Sequence, residues 1–127
     1  YPGVTLTRTL AMLEHPDLNQ PVVVDLMRVD GREAGVYDLP LHYNGHIITV
    51  GFEAERLLGE RPVLGREAGY QHLWVDARAP ASDALRRLTW LTAGRFYTYH
   101  FAASAPTEAM LVESGANDPN FNLRREP

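Results

Sequence analysis

The sequence predicts an all-β protein, an antiparallel β-sandwich of the jelly-roll type with at most one short helical turn. Roughly eight short segments of alternating or β-branched residues recur along the chain, separated by Gly, Pro, Asn and Asp. Asn44-Gly45 stands between two such segments, and this dipeptide favours a two-residue hairpin loop. The 127 residues are enough for one domain with its own core, which we expect to span 1–127.

The first two strands are predicted at 4–13 and 22–29. In the first, apolar residues alternate with threonines, and the second is β-branched and mostly apolar. Asp25 interrupts the second apolar run. Because a buried carboxylate needs a partner, we expect it to pair with Arg8 or Arg28.

The next prediction is a hairpin from 35 to 52 around Asn44-Gly45. Residues directly opposite each other across a hairpin share one face of the sheet. This register predicts a core face of Leu39, Leu41, Ile48 and Val50. It directs the other set outward: Asp38, Pro40, His42, Ile47 and Thr49.

The remaining chain is predicted to alternate between turns and strands. Gly59, Pro62 and Gly65 limit 53–68 to a crossover with at most a helical turn. We expect Tyr97, Tyr99 and Phe101 to share one face of their strand. The predicted strands are 70–77, 85–92, 95–102 and 108–113, with a loop at 79–82 and a turn at Ala93-Gly94. For 85–92 a helix remains the alternative, because Leu85, Leu88 and Trp90-Leu91 would also share a helix face.

Composition excludes several classes of function. The net charge of −4 argues against a nucleic-acid partner, which needs a basic surface. No run approaches the ~20 apolar residues of a membrane-spanning helix. The chain has no Cys, which removes disulfides and thiolate chemistry. We therefore expect neither a nucleic-acid nor a membrane partner.

The candidate substrate-binding residues are Tyr70, His72 and Trp74, with His42 as a fourth. In a strand the first three share a face, where aromatic rings can stack on sugars and polar tips can bond hydroxyls. The favoured alternative is an amphipathic layer with His72 hydrogen-bonded internally.

No metal site is predicted, since His42 and His46 face opposite sides of the hairpin. The pairs Arg86-Arg87 and Arg124-Arg125 could bind carboxylates of an acidic sugar, although such pairs are mostly solvated surface.

Four strings add a family resemblance: VVVDLMRVDG, YDLPLHYNGHI, GYQHLWVDA and GANDPNFNLRREP. They resemble the C-terminal β-rich portion of heparinase II/III-like polysaccharide lyases, and within that superfamily the bacterial alginate and oligoalginate lyases. The resemblance covers residues 22–127.

The resemblance implies a multidomain bacterial enzyme, periplasmic or secreted, with a cytoplasmic location left open. An N-terminal helical toroid would precede the β-domains, and a uronate polysaccharide would be cleaved between them by β-elimination. The family's toroid and its zinc-site string are absent from this sequence. We therefore expect no catalytic residue and no cofactor in this chain, with any structural zinc lying upstream.

The expected role is support of the substrate cleft by a part that is inactive alone. The alternatives are a non-catalytic carbohydrate-binding module and an interdomain or oligomerisation element.

Overall fold

The computed structural model describes residues 2–31, 35–57, 59 and 61–120. Within these ranges every strand pairing is antiparallel, and the only helical element is a 3-10 turn at Tyr70–His72. The all-β prediction is confirmed. The strands are β1 (Val4–Leu13), β2 (Val22–Gly31), β3 (His46–Val50), β4 (Glu55–Arg56), β5 (Leu73–Ser82), β6 (Arg86–Thr92), β7 (Arg95–Phe101) and β8 (Thr107–Ser114).

The chain divides into two compact units, residues 1–40 and 41–127. The first unit contains the hairpin of β1 and β2, paired from Val4 opposite Gly31 to Leu13 opposite Val22. Both strands lie where the sequence predicts them, and β2 extends two residues further. The prediction holds because alternating and β-branched residues suit the pleat.

Of the two predicted partners of Asp25, the structure pairs it with Arg8, whereas Arg28 bonds to Asp30. The register sets Leu10 opposite Asp25, which brings Arg8 to the same face. Two hydrogen bonds join the side chains, Arg8 Nε to Asp25 Oδ1 at 2.9 Å and Arg8 Nη2 to Asp25 Oδ2 at 2.7 Å. The hydrogen bond from Arg8 lowers the pKa of Asp25 below its ordinary value. The Asp25 side chain remains 23% exposed, so the expectation of a fully buried carboxylate is wrong.

The second unit contains two three-stranded sheets, with strand orders β3-β6-β7 and β4-β5-β8. A two-residue loop, Ala93-Gly94, joins β6 to β7, since Thr92 pairs with Arg95. Its φ angles of 48° and 73° are both positive, as a type I′ turn requires. The predicted turn and the strands on either side of it are confirmed.

The predicted hairpin at Asn44-Gly45 is wrong. Residues 35–44 form no strand, and β3 pairs with β6 instead. Gly45 has φ 118°, but Asn44 is not among the residues with positive φ, so the dipeptide lacks the type I′ geometry. A Cβ on Gly45 would lie 2.1 Å from the carbonyl oxygen of Leu91. The glycine therefore permits close approach to β6 rather than a tight turn.

The predicted core face fails with the hairpin. Leu39, Leu41 and Ile48 are 46%, 40% and 51% exposed. Ile47, predicted to face outward, is half-buried opposite Trp90. The register shifts between Ile47 and Thr49, and such a bulge re-aims the side chains that follow it.

Two further boundaries differ from the predictions, whereas the described part of 53–68 agrees with the predicted limit of at most a helical turn. Tyr70–His72 form the 3-10 turn rather than the start of a strand, after Gly69 at φ 91°. Residues 79–82 belong to β5, where a register shift after Ala79 lets the strand accommodate Pro80. In 53–68 the described residues contain the two-residue strand β4 and no helical turn.

The buried core of the second unit lies on β5 and β6, with one further residue just after β8. Its apolar members are Val75, Ala77, Ala79, Leu88 and Ala116. On β6 and β7, Trp90 stacks on Tyr97 at 5.6 Å between ring centroids, and Tyr99 stacks on Phe101 at 5.3 Å. The predicted shared face of Tyr97, Tyr99 and Phe101 fits this arrangement.

Arg86 belongs to this interior. It is 6% exposed, and its guanidinium donates to the backbone carbonyls of Thr107 (2.8 Å) and Pro80. The group also lies 5.4 Å from the centre of the Phe52 ring. Arg86 therefore ties β6 to the other sheet, which corrects the interpretation of this arginine as solvated surface. Arg124 and Arg125 lie outside the described residues.

Candidate functional site

An open cleft lies beside β5 in the second unit. Its lining residues are Arg61, Pro62, Val63, Trp74 and Asn117. The segment before the 3-10 turn runs along β5, with the amide of Val75 donating to Pro62 O (2.9 Å) and that of Leu64 to Leu73 O (2.8 Å). This pairing holds Trp74 against the segment that carries Arg61.

Arg61 is the charged centre of the cleft. Its Nη1 lies 2.6 Å from Asp76 Oδ1 and 2.6 Å from Glu113 Oε2. Glu113 is brought there by the register, since it pairs with Trp74 across β5 and β8. The hydrogen bonds from Glu113 and Asp76 raise the pKa of Arg61 above its ordinary value. The guanidinium also lies 4.6 Å from the centre of the Trp74 ring, within the range of a cation–π interaction.

This arrangement limits what the cleft can bind. One guanidinium faces two carboxylates, so these three groups together carry a negative charge. Arg61 can neutralise a substrate carboxylate only by giving up a partner, which makes the cleft poor at binding anions. The carboxylates can accept hydrogen bonds from hydroxyl groups, and Trp74 supplies an apolar surface. The chemistry favours contact with the neutral parts of a sugar.

His72 is bonded within the protein. Its Nδ1 lies 2.9 Å from the carbonyl oxygen of Ala116, which can only accept, so Nδ1 carries the proton. The His72 carbonyl accepts from the amides of Gly115 (3.0 Å) and Ala116 (3.1 Å). Asn117 adds a bond from Nδ2 to Gln71 O at 2.9 Å. These contacts agree with the alternative of an internally bonded His72.

The four predicted substrate-binding residues are not assembled into one site. Of the four, only Trp74 lines the cleft. Tyr70 is 36% exposed on the 3-10 turn, and His42 is exposed in the segment before β3. Substrate binding by Tyr70, His72, Trp74 and His42 stays a prediction.

The sequence reasoning missed Arg61, Asp76 and Glu113. Trp74 and Asp76 stand two apart, which is the one local signal that could have linked them. Arg61 lies 52 positions from Glu113, so only the fold reveals their contact.

Tyr43 was also missed. Its ring lies 5.6 Å from that of Trp90, tilted by 44°. Burial, and then the charge of Asp76, raise the pKa of Tyr43 to about 12. Tyr43 is therefore neutral at neutral pH and a poor general base there.

The described residues contain neither a cluster of metal ligands nor a membrane-spanning helix. Across 2–31, 35–57, 59 and 61–120, no three His, Asp or Glu side chains cluster as metal ligands. The expectation of a zinc site upstream stays a prediction. In the described part of the chain, no helix has the length and apolar character needed to span a membrane.

Sequence comparison relates the whole chain to a segment of bacterial alginate lyases. It is 65% identical to the alginate lyase of Stenotrophomonas maltophilia strain K279a over 127 residues, which is 100% of this chain and 17% of that protein. It is 41% identical to the exo-oligoalginate lyase of Saccharophagus degradans strain 2-40 over 129 residues, covering 99% of this chain and 18% of that protein. No protein-family profile matches the chain. The resemblance to bacterial alginate and oligoalginate lyases is confirmed, and the chain spans less than a fifth of the length of these relatives.

Proposed function

We propose that this chain is a β-sheet part of a lyase that cleaves a uronate polysaccharide by β-elimination. Among uronate polysaccharides, the proposed substrate is alginate. The observation that carries the proposal is the 65% identity to an alginate lyase across every residue of the chain. In this proposal the chain supports the substrate cleft and is inactive alone. The catalytic residues and a helical N-terminal domain lie in another part of the polypeptide, together with any structural zinc. The enzyme acts in the periplasm or outside the cell.

The side chains of the cleft favour the supporting role. β-Elimination needs a group that neutralises the uronate carboxylate and a base that removes a proton. Arg61 is committed to Asp76 and Glu113, and Tyr43 holds its proton to a pKa of about 12. Arg61 is therefore poorly suited to neutralise a uronate carboxylate, and Tyr43 is poorly suited to remove a proton.

The decisive experiment is a lyase assay on the complete polypeptide. Ultraviolet absorbance of the unsaturated uronate product would be followed with alginate and with heparan sulfate, beside the isolated 127-residue chain. We expect activity on alginate from the complete protein and none from the isolated chain. Inactivity of the complete protein on every uronate polymer would refute the lyase, and activity of the isolated chain would refute the supporting role.

A fluorescence titration tests contact between sugar and Trp74. Trp74 and Trp90 are the only tryptophans, and Trp90 is stacked on Tyr97. If alginate oligomers meet Trp74, the Trp74→Phe variant loses the response while Trp90→Phe retains it. The opposite pattern would remove Trp74 from the substrate path. The same titration with Tyr70→Phe, His72→Gln and His42→Gln tests the other three candidates.

The β1-β2 hairpin favours a second role, packing against another part of the polypeptide. One face carries four side chains that are 60–66% exposed, Leu6, Leu10, Met12 and Val23. Exposed apolar patches of this kind mark interaction surfaces. In this proposal the face packs on the N-terminal helical domain. Leu10→Asp should then increase proteolysis of the complete protein between its domains, whereas Thr9→Asp on the opposite face should not.

A further inference from the structure

The strands of the β3-β6-β7 sheet are positively charged, although the chain as a whole is negatively charged. The chain as a whole has a net charge of −4. The three strands of this sheet contain no Asp or Glu, but they contain three arginines and two histidines: Arg86, Arg87, Arg95, His46 and His100. Within the sheet Arg86 is buried and bonded to backbone carbonyls, while Arg87 and His100 are exposed.

The register sorts these residues between the two faces. The inner face carries Trp90, Tyr97 and Arg86. The outer face consists of three rows of residues paired across the strands. They are His46-Leu91-Phe96, Thr49-Thr89-Thr98, and Gly51-Arg87-His100, the last completed by the Gly51 amide donating to Arg87 O at 2.8 Å.

Each outer row offers a different contact. Phe96 is 67% exposed, so a broad aromatic surface lies at one end of the face. The threonines place hydroxyl groups in the middle, with Thr89 Oγ1 3.1 Å from Thr98 Oγ1. Arg87 and His100 bring hydrogen-bond donors at the other end. None of the ion pairs found among the described residues involves Arg87 or His100.

The spacing of these contacts suits an extended chain of sugars. Residues two apart in a strand lie roughly 6.6 Å apart, so Phe96 and His100 are roughly 13 Å apart along β7. Three strands give the face a width of about 10 Å. A short stretch of saccharide can therefore meet the aromatic ring, the hydroxyls and the cationic end together.

We propose that this outer face of the β3-β6-β7 sheet binds a stretch of uronate polysaccharide. Phe96 stacks on a sugar ring, the threonines bond hydroxyls, and Arg87 with His100 binds the uronate carboxylates. Carboxylates are the groups that a guanidinium recognises through paired hydrogen bonds, and the three strands of this sheet contain no acidic side chain of their own. The choice of a uronate as occupant rests on the proposed function.

Binding of alginate by the complete polypeptide tests the inference, by affinity electrophoresis and by a dissociation constant in solution. The variants are Arg87→Gln and Phe96→Ala. The matched control is Arg95→Gln, which removes the same charge from the same sheet but from its inner face, where Arg95 lies with Tyr97 and Tyr99. We expect Arg87→Gln and Phe96→Ala each to weaken binding roughly tenfold, as loss of a charge-assisted bond or a stacking contact would, with Arg95→Gln near wild type.

Three results would overturn the inference. They are unchanged binding in both variants, equal weakening in Arg95→Gln, and equally tight binding of neutral dextran by the wild type. Turnover of a short alginate oligomer, measured on the same preparations, separates this inference from the proposed function. If the wild type is active and the variants bind alginate as tightly as it does, binding at the outer face is refuted and the proposed function stands. An inactive wild type whose variants lose alginate binding refutes the lyase and leaves the binding face standing.

Discussion

Gly45→Ala is the substitution that most directly tests the correction to the predicted hairpin. The added Cβ would lie 2.1 Å from the Leu91 carbonyl oxygen and 2.9 Å from Thr92 Cβ. Since both atoms belong to β6, the β3 end of the sheet must shift to make room. The φ angle of 118° adds backbone strain, because side chains with a Cβ rarely adopt it.

The backbone strain and the clash of the added Cβ with β6 have separate costs. Left-handed strain costs about 1–2 kcal/mol, and forcing an extra carbon into a packed site costs about 1–3 kcal/mol. We therefore expect Gly45→Ala to lose about 2–5 kcal/mol of unfolding free energy. Gly69→Ala is the matched control, because Gly69 has φ 91° but nothing within 4 Å of an added Cβ. It should lose only the strain, about 1–2 kcal/mol.

Urea unfolding followed by Trp90 fluorescence measures both variants, since Trp90 lies next to Leu91 in β6. The midpoint of Gly45→Ala should fall clearly below that of Gly69→Ala, with equal slopes. Equal losses in the two variants would refute the argument that close approach to β6 determines the glycine. A loss at Gly69 alone would refute it as well.

Three further perturbations test the second unit. Ala93→Asn should raise the unfolding free energy by about 1 kcal/mol, since Asn tolerates the φ of 48° that Ala93 adopts; a loss in urea unfolding would mean that the turn is not type I′. Arg61→Gln should lower the unfolding free energy by about 1–2 kcal/mol, a value reduced for the 31% exposure of the arginine. Its control Arg78→Gln, 4.0 Å from Glu108, should change the unfolding free energy by less than about 0.5 kcal/mol, and equal effects would mean that the bonds of Arg61 to Asp76 and Glu113 add no stability. Spectrophotometric titration should show one tyrosine with a pKa of about 12, absent in Tyr43→Phe. Because the folded pKa lies above the ordinary value of 10.0, the stability from neutral Tyr43 is present below pH 10 and is lost as the pH rises through 12; an ordinary pKa for Tyr43 would contradict its burial.

Local sequence patterns predicted those strands that alternation or β-branching alone is enough to specify. Alternation and β-branching located β1, β2 and β7, and Ala93-Gly94 marked a tight turn. The same reasoning failed at Asn44-Gly45, because a glycine needed for contact with a distant strand leaves the same mark as one needed for a turn. The non-local pairing of β3 with β6 sets Ile47 opposite Trp90, and no short window of sequence contains both residues.

The candidate site was less predictable than the fold for a related reason. Trp74 was identified because an aromatic residue in a polar strand is a local signal. Whether Trp74 can contact a ligand depends on Arg61, which lies in the loop before β5 and covers the Trp74 ring. His72 was identified by the same stripe, yet it fastens the turn at Gly115-Ala116. Sequence can indicate which residues are chemically notable, whereas partners far along the chain decide whether they face ligand or protein.

The two sheets of the second unit also differ in a way that bears on where an anionic polymer would bind. Strands β4, β5 and β8 carry four carboxylates against two arginines, and Arg61 is already held by two of those carboxylates. Strands β3, β6 and β7 carry none. On these charges we expect an anionic polymer such as a polyuronate to be repelled by the cleft at Trp74 and attracted to the outer face with Arg87. Raising salt should consequently weaken alginate binding at that outer face, because screening acts most on exposed charges, whereas contacts of neutral sugar hydroxyls with the cleft should change little. A salt-independent affinity that survives Arg87→Gln but not Trp74→Phe would reverse this assignment.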